Sequence, residues 1–158
     1  MGVEIERKFL VHVQQLPELH AGTPIRQGYL AFGDDAIVRV RLTPDAAYLT
    51  IKGRPRAIVR AEFEYAIPLA DAEALLAMCA GGLIEKTRHR VPVERHVFEI
   101  DVFAGASAGL VIAEVELGSE LERFPRPDWL GAEVSGDERY SNAALSRHPY
   151  VRWEDDER

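Results

Sequence analysis

Acidic and basic side chains recur at every second position in several stretches of this chain. Near the N-terminus Glu4, Glu6 and Lys8 alternate with apolar residues, and Arg39 and Arg41 do so further along. Guanidinium groups bind phosphate oxygens in pairs, and lysine acts as a point charge. Paired carboxylates are hard oxygen ligands that suit Mg²⁺ or Mn²⁺. Such groups together can perform metal-assisted phosphoryl transfer.

The alternation predicts β-strands, because successive side chains of a strand point to opposite faces. Seven predicted strands carry such a charged face. The eight bases on these faces are Lys8, Arg39, Arg41, Lys52, Arg60, Lys86, Arg88 and Arg90. The eight acids are Glu4, Glu6, Glu62, Glu64, Glu99, Asp101, Glu114 and Glu116.

Eight strands are predicted in all, and turn sequences such as Gly33-Asp34-Asp35 separate many of them. Short connections favour antiparallel neighbours, because parallel pairs need long crossovers. The predicted strands cover residues 3–11, 25–32, 36–42, 47–52, 58–67, 86–93, 96–103 and 110–117.

Few helices are expected. One is predicted over 72–80, with Asp71 as its cap and Gly81-Gly82 at its end. A second is predicted over 137–147, before Pro149. A further single turn is expected near 127–130 or 15–20.

Two arrangements can place the charged faces. In an open antiparallel sheet they would face water. In a closed barrel of eight strands they would line an interior wide enough for one small ligand. Charges in such an interior need partners or water, and the remaining positive charge would bind a polyanion. Closure also turns the apolar faces outward, where two or three short helices cannot cover them. We therefore expect a subunit interface, most simply a two-fold dimer.

Composition limits the class of protein. A chain of 158 residues suits one domain, here 1–150 with an acidic tail at 151–158. The formal charge of −7 argues against a duplex nucleic-acid partner. No apolar run is long enough to span a membrane, and the N-terminus does not read as a secretory signal. The single cysteine, Cys79, excludes an internal disulfide. A cytoplasmic location is the expectation.

Several of these segments, taken in order, resemble the CYTH superfamily, the triphosphate tunnel metalloenzymes, in particular its short bacterial members. The resemblance starts with Glu4-x-Glu6-x-Lys8 and covers roughly residues 2–147. Its other segments are Gln27-Gly28-Tyr29-Leu30, Val38-Arg39-Val40-Arg41, Leu49-Thr50-Ile51-Lys52-Gly53, Arg60-x-Glu62-x-Glu64, Lys86-Thr87-Arg88, Glu99-Ile100-Asp101-Val102-Phe103, Ala113-Glu114-Val115-Glu116-Leu117, Trp129-Leu130-Gly131, Glu133-Val134-Ser135 and Tyr140-Ser141-Asn142.

The resemblance implies a mainly β member of the α+β class, with an eight-stranded antiparallel closed tunnel barrel and a few short flanking helices. The tunnel would bind a triphosphate and one or two divalent cations, Mg²⁺ or Mn²⁺. By position, the metal-binding acids would be Glu4, Glu6, Asp101, Glu114 and Glu116. The substrate-binding bases would be Lys8, Arg39, Arg41, Lys52, Lys86 and Arg88, with Arg90 as a further candidate.

The resemblance and the residue chemistry also suggest roles beyond binding. Lys8, Tyr29, Glu114 and Glu116 are the candidate catalytic residues, with Glu114 or Glu116 orienting the attacking water. Arg60, Glu62 and Glu64 are interpreted as a charge network that holds the bases. Trp129 is expected to plug one end of the barrel or to cover an apolar patch.

The predicted function is metal-dependent hydrolysis of a triphosphate, preferably inorganic triphosphate, to pyrophosphate and phosphate. Two alternatives remain open: a class IV-type adenylate cyclase and a non-catalytic polyphosphate-binding module. The expected partners are a small-molecule triphosphate and a second copy of the chain, with no nucleic acid and no membrane.

Overall fold

The computed structural model describes residues 2–158, so Met1, the first residue of the predicted domain, lies outside the described residues. The strands are β1 (Gly2–Val11), β2 (Thr23–Phe32), β3 (Ala36–Leu42), β4 (Ala47–Gly53), β5 (Val59–Ile67), β6 (Ala80–Val93), β7 (His96–Phe103), β8 (Val111–Glu116) and β9 (Leu130–Glu133). The helices are α1 (Leu69–Ala77) and α2 (Asn142–Arg147). None of the helices described in 2–158 is long and apolar enough to cross a bilayer.

Eight of the strands form a closed antiparallel barrel. The sheet runs β5-β4-β3-β2-β6-β7-β8-β1, and pairing between β5 and β1 completes the circle. At this closing pair Glu4 lies opposite Arg60, and Gly2 lies opposite Glu62. The predicted mainly β fold with an eight-stranded barrel is therefore confirmed, and the charged rows face one another inside it.

A ninth strand, β9, adds to the edge of β1 beyond the part that pairs with β5. Phe9 pairs with Glu133, and Val11 pairs with Leu130, with a register shift between the two pairs. At the first of the two places where a single turn was expected, 127–130, Leu130 N donates to Pro127 O at 2.9 Å and closes one turn before the chain enters β9. A 3₁₀ helix does occur at Val13–Gln15, close to the other expected place.

The helix predicted over 72–80 begins and ends three residues earlier. Pro68 precedes its first turn, and Asp71 lies within that turn instead of capping it. A proline fits there because its fixed φ suits the start of a helix. A carboxylate in the first turn also complements the helix dipole. The chain just after the helix packs on β2 at Gly28, where an added Cβ would lie 2.7 Å from Cys79 Sγ.

Gly81 and Gly82 do not end this helix but lie in β6, which begins six residues before the predicted strand. Gly81 has a φ of +74°, a conformation that glycine adopts without steric cost. The helix predicted over 137–147 is divided into a 3₁₀ turn at Glu138–Tyr140 and α2. Between them the Ser141 side chain accepts a hydrogen bond from Ala144 N and caps α2.

The outside of the barrel is covered mainly by the chain's own loops. One apolar cluster on the outer faces of β1, β7 and β8 is covered by the segment after β1 and by the segment before β9, which contributes Phe124 and Trp129. Trp129 thus covers an apolar patch, which is one of its two predicted roles. A second outer cluster lies between α1 and β3–β4. Only part of the apolar exterior therefore stays exposed.

An apolar floor closes part of one end of the barrel from within. It consists of the inward-facing residues Leu10, Ile84, Phe103 and Ile112, covered by Leu145 of α2. Tyr140 and Trp153 join this cluster, with their ring centroids 5.0 Å apart. The C-terminal segment is therefore an integral part of the barrel end.

Candidate active site

A cavity of about 480 Å³ occupies the barrel beside the apolar floor. Its mouth lies between the β2–β3 turn, the β4–β5 loop and the segment 134–147. All six bases predicted to bind the substrate line this one cavity: Lys8, Arg39, Arg41, Lys52, Lys86 and Arg88. The volume lies within the usual range for a small-molecule site.

Strand register explains why these bases meet. Tyr29 lies opposite Arg39, and Gln27 lies opposite Arg41, where β2 pairs with β3. On the other side of β2, Gln27 faces Ile84, the inward-facing neighbour of Lys86 along β6. Residues two apart on each strand share the inner face, so the rows converge as the barrel closes.

Arg39 is buried, with 6% of its surface exposed. One of its terminal nitrogens donates to Thr50 Oγ1 at 3.2 Å and to Glu64 at 3.4 Å. Its Nε has no partner, and the buried Nε of Arg60 has none either, among the residues that the structure describes. Buried donors nearly always have an acceptor. The side chains around these two guanidinium groups in the cavity wall therefore do not satisfy them fully.

Asp101 lies behind the bases and is completely buried. It accepts a hydrogen bond from Lys86 Nζ at 2.7 Å and two from Arg88, at 2.8 and 2.9 Å. Burial would raise the pKa of Asp101, but Lys86 and Arg88 outweigh burial and lower it. Both carboxylate oxygens are thus occupied by bases, and Asp101 does not line the cavity.

The bases crowd one another as well. Burial, opposed by Asp101 and assisted by Arg88 and Arg41, lowers the pKa of Lys86 to about 7. Burial, together with Arg39 and Arg88, lowers the pKa of Arg41 to about 10. Such lowered values mean that the charged forms of these two bases are less stable here than in water. A bound polyanion would reverse this balance.

Three of the predicted metal-binding acids, Glu4, Glu6 and Glu114, line the cavity. Burial raises the pKa of Glu6 well above its usual value, and the charges of Glu114 and Glu4 add to the effect. Burial also opposes the charge on Glu114, but Lys8 and Arg88 outweigh it and lower that pKa. Glu6 therefore carries a proton more readily than Glu114.

Glu116 lies opposite Glu6 where β1 pairs with β8, but it is exposed and does not line the cavity. Its pKa is raised by partial burial and by Glu4, Glu62 and Glu99. Within 2–158, no three His, Cys, Asp or Glu side chains already form a metal-binding group. A divalent cation nevertheless relieves the repulsion between crowded carboxylates, whose oxygens are suitable ligands for it. The acids therefore fit a cation that draws them together.

Two of the bases, Lys52 and Lys8, lie close to the acids. Lys52 Nζ lies 3.0 Å from Glu4 and 3.0 Å from Glu62. Lys8 Nζ lies 3.9 Å from Glu114. Burial opposes the charge on Lys8, but Glu114 and Glu6 outweigh it and raise its pKa.

The other predicted residues lie around this centre. Tyr29 is buried, lines the cavity and influences the pKa of Lys8. Glu62 and Glu64 contact Lys52 and Arg39, as a charge network requires. Arg60 lines the cavity, whereas Arg90 pairs with Glu99 in register and stays outside it.

Three polar residues at the bases were not predicted as members of the site. Thr50 contacts Arg39, as described above. Gln27 contacts Arg41, and Asn142 contacts both Gln27 and Lys86, each at 2.8 Å. The sequence offered the same signal for each of them, since Gln27, Thr50 and Asn142 all fall in segments that carry the resemblance. They were missed because the prediction looked for charged side chains, and these side chains are neutral.

Comparison with known proteins gives a consistent result. Residues 2–150 match the CYTH domain. A protein of Acetivibrio thermocellus, named inorganic triphosphatase, is 44% identical over 156 residues, which cover 98% of this chain and 100% of that protein. One of Nitrosomonas europaea with the same name is 41% identical over 148 residues, covering 90% of this chain and 96% of that protein.

A solved structure described as an inorganic triphosphatase has a similar fold. The TM-score is 0.66 with 39% sequence identity, over 92% of this chain and 95% of the other. The similarity therefore extends over almost the whole chain.

Proposed function

The chain belongs to the CYTH domain family, and from this premise we propose that it is a metal-dependent triphosphatase that prefers inorganic triphosphate. The reaction would cleave a terminal phosphoanhydride bond by water and release phosphate and pyrophosphate. The observation that carries the proposal is the meeting of six bases in one cavity. The names of the relatives support the same substrate.

The bases would bind the phosphate chain along the cavity. Arg39 would bind a phosphate oxygen from the cavity wall while Thr50 and Glu64 hold one of its terminal nitrogens. Asp101 would keep Lys86 and Arg88 in place from behind. Fixed positive groups that are already oriented stabilise charge in the transition state without reorganising.

The acids would hold Mg²⁺ or Mn²⁺. Glu4, Glu6 and Glu114 can do so from the cavity wall, whereas Glu116 would approach from its exposed position and Asp101 only by releasing a base. When bound, the cation neutralises charge on the phosphate oxygens. We assign the orientation of the attacking water to Glu114 or Glu116, and we place Tyr29 and Lys8 beside the reacting phosphate.

A phosphate-release assay tests the proposal. Tripolyphosphate and ATP are each supplied with Mg²⁺ or Mn²⁺, and cyclic AMP is measured in parallel. We expect phosphate release from tripolyphosphate that depends on the cation and exceeds release from ATP. Cyclic AMP from ATP would instead indicate the cyclase, and bound but intact tripolyphosphate would indicate a polyphosphate-binding module.

We also propose that the protein is a homodimer. On the outer face of β1 and β5 the apolar Val3, Phe63 and Tyr65 are 56%, 48% and 56% exposed. They lie together because β5 pairs with β1, and a second copy offers the same apolar face. Light scattering should give a dimer mass that Phe63→Glu converts to a monomer. Met78→Glu, at an exposed apolar residue elsewhere, should not change it, and a monomeric parent protein would contradict the proposal.

A cytoplasmic location completes the proposal. Cys79 is a free thiol, which is usual for proteins of reducing compartments.

A further inference from the structure

The first residue of α2 reaches into the barrel and contacts one of the bases, Lys86, together with the neutral Gln27. Asn142 Oδ1 accepts a hydrogen bond from Lys86 Nζ at 2.8 Å and another from Gln27 Nε2 at 2.8 Å. The helix that carries it is anchored by the Ser141 cap and by Leu145, which is buried in the apolar floor. Asn142 is therefore held firmly relative to β6.

Gln27 extends this contact to a second base. Its side chain is completely buried, and its Oε1 accepts a hydrogen bond from Arg41 Nε at 2.8 Å. The two amides form a continuous chain from Lys86 to Arg41. The oxygen of each amide accepts a hydrogen bond from a base, and the Gln27 nitrogen donates one to Asn142.

The neutrality of these partners matters for a polyanion site. Asp101 orients Lys86 and Arg88 but neutralises part of their charge. An amide oxygen fixes the direction of a cation and leaves its full charge available to a ligand. Without Asn142, Lys86 would have Asp101 as its remaining hydrogen-bond partner among the described residues and would turn toward it, away from the cavity.

We propose that Asn142 is a positioning residue that, as a neutral acceptor, holds Lys86 directly and Arg41 through Gln27 in the orientation that binds phosphate. The inference rests on the proposed function, because the bound anion is taken to be a triphosphate. It places part of the control of the site in α2, which lies outside the barrel strands.

Two variants test the role of the acceptor. Asn142→Ala removes it, and Asn142→Asp keeps its shape but adds a negative charge. Both should raise KM for tripolyphosphate by about tenfold, the usual effect of losing or neutralising one charge-assisted contact, with kcat changed by about twofold or less. A residue that only fills space would instead lower the active fraction and leave KM unchanged.

Ser146→Ala is the matched control, because it removes a hydrogen bond within the same helix, from Ser146 Oγ to Ala143 O at 2.7 Å. It should lower the melting temperature about as much as Asn142→Ala does, without a change in KM. Gln27→Met should also raise KM. Combined with Asn142→Ala, it should cost less than the two single changes added together, since both interrupt one chain.

Calorimetry of tripolyphosphate binding without added metal distinguishes a failure of this inference from a failure of the proposed function. Binding by the parent that is weakened about tenfold in both Asn142 variants supports the inference. Equal binding by parent and Asn142→Asp overturns it while leaving the proposed function intact. A parent that neither binds nor hydrolyses tripolyphosphate overturns the proposed function and this inference with it.

Discussion

The interior of the barrel contains two regions made by the same strands. Lys8 is followed two residues later by Leu10 on β1, and Lys86 is preceded two residues earlier by Ile84 on β6. The inner face of each of these two strands therefore passes from a charged to an apolar side chain. The charged region holds its side chains in ion pairs around the cavity. The apolar floor packs against α2 and the C-terminal residues.

The contrast between the charged region and the apolar floor shows how the barrel accommodates buried charge. The charged side chains of the first region form ion pairs or line the cavity, whereas the floor is an apolar wall that strengthens electrostatic interactions beside it. The charged region should therefore control binding and turnover, and the floor should control stability. The following substitutions test this division, in order of decreasing effect.

Removing a carboxylate from the cavity should have the largest effect. Glu4→Ala and Glu6→Ala should each reduce metal-dependent turnover by roughly a hundredfold or more, because a bound cation supplies several kcal/mol. Phosphate release from tripolyphosphate measures this, and circular dichroism should show an intact fold. Glu73→Gln, at an exposed ion pair with Arg26, is the control. Normal turnover by either alanine variant would remove that residue from the metal site.

Arg39→Ala should weaken tripolyphosphate binding by about 10- to 100-fold, since a buried charged donor is lost. Calorimetry measures the affinity. Arg26→Ala, which removes an exposed arginine from the outer surface, should leave it unchanged. An unaltered dissociation constant for Arg39→Ala would place the bound anion outside this cavity.

Affinity should depend on pH through Lys86. Burial lowers its pKa to about 7, so its charge is present below that pH and is lost as the pH rises. Tripolyphosphate affinity should accordingly decrease between about pH 7 and 8.5, by up to about tenfold per pH unit, the limit for one linked proton. In Lys86→Arg the charge persists and the decrease should be smaller. Identical pH profiles would show that another group causes the dependence.

The floor should affect binding least. Ile112→Ala should lower the free energy of unfolding by roughly 2–4 kcal/mol, as large-to-small changes in a core do. Urea denaturation measures this loss, and KM of the folded fraction should change by about twofold or less. A large rise in KM without loss of stability would show that the two regions are not separate.

Strand positions were predictable because alternation is a local signal. The predicted 36–42 and 96–103 agree with β3 and β7 as observed. β9 was not predicted, because four residues that pair with β1 across a register shift leave little pattern in the sequence. The early start of β6 was missed because Gly81-Gly82 favours a break, whereas pairing with β2 resumes beyond a register shift, where Tyr29 lies opposite Ala80.

The site was predictable to the extent that the alternation of side chains along a strand, the parity of their positions, determines which of them face inward. Parity alone could not distinguish Glu114, which lines the cavity, from Glu116 two residues later at the end of β8. Nor could it assign Asp101 to its ion pairs with Lys86 and Arg88. Asn142 depends on how the chain returns across the barrel end, which no local pattern records.

The most direct test is a crystal structure with tripolyphosphate and Mn²⁺. The account predicts the phosphate chain in the cavity, in hydrogen-bonding contact with Arg39, Arg41 and Lys86, and an anomalous Mn²⁺ peak beside Glu4, Glu6 and Glu114. Tripolyphosphate bound on the outer surface, or Mn²⁺ bound away from these carboxylates, would contradict it.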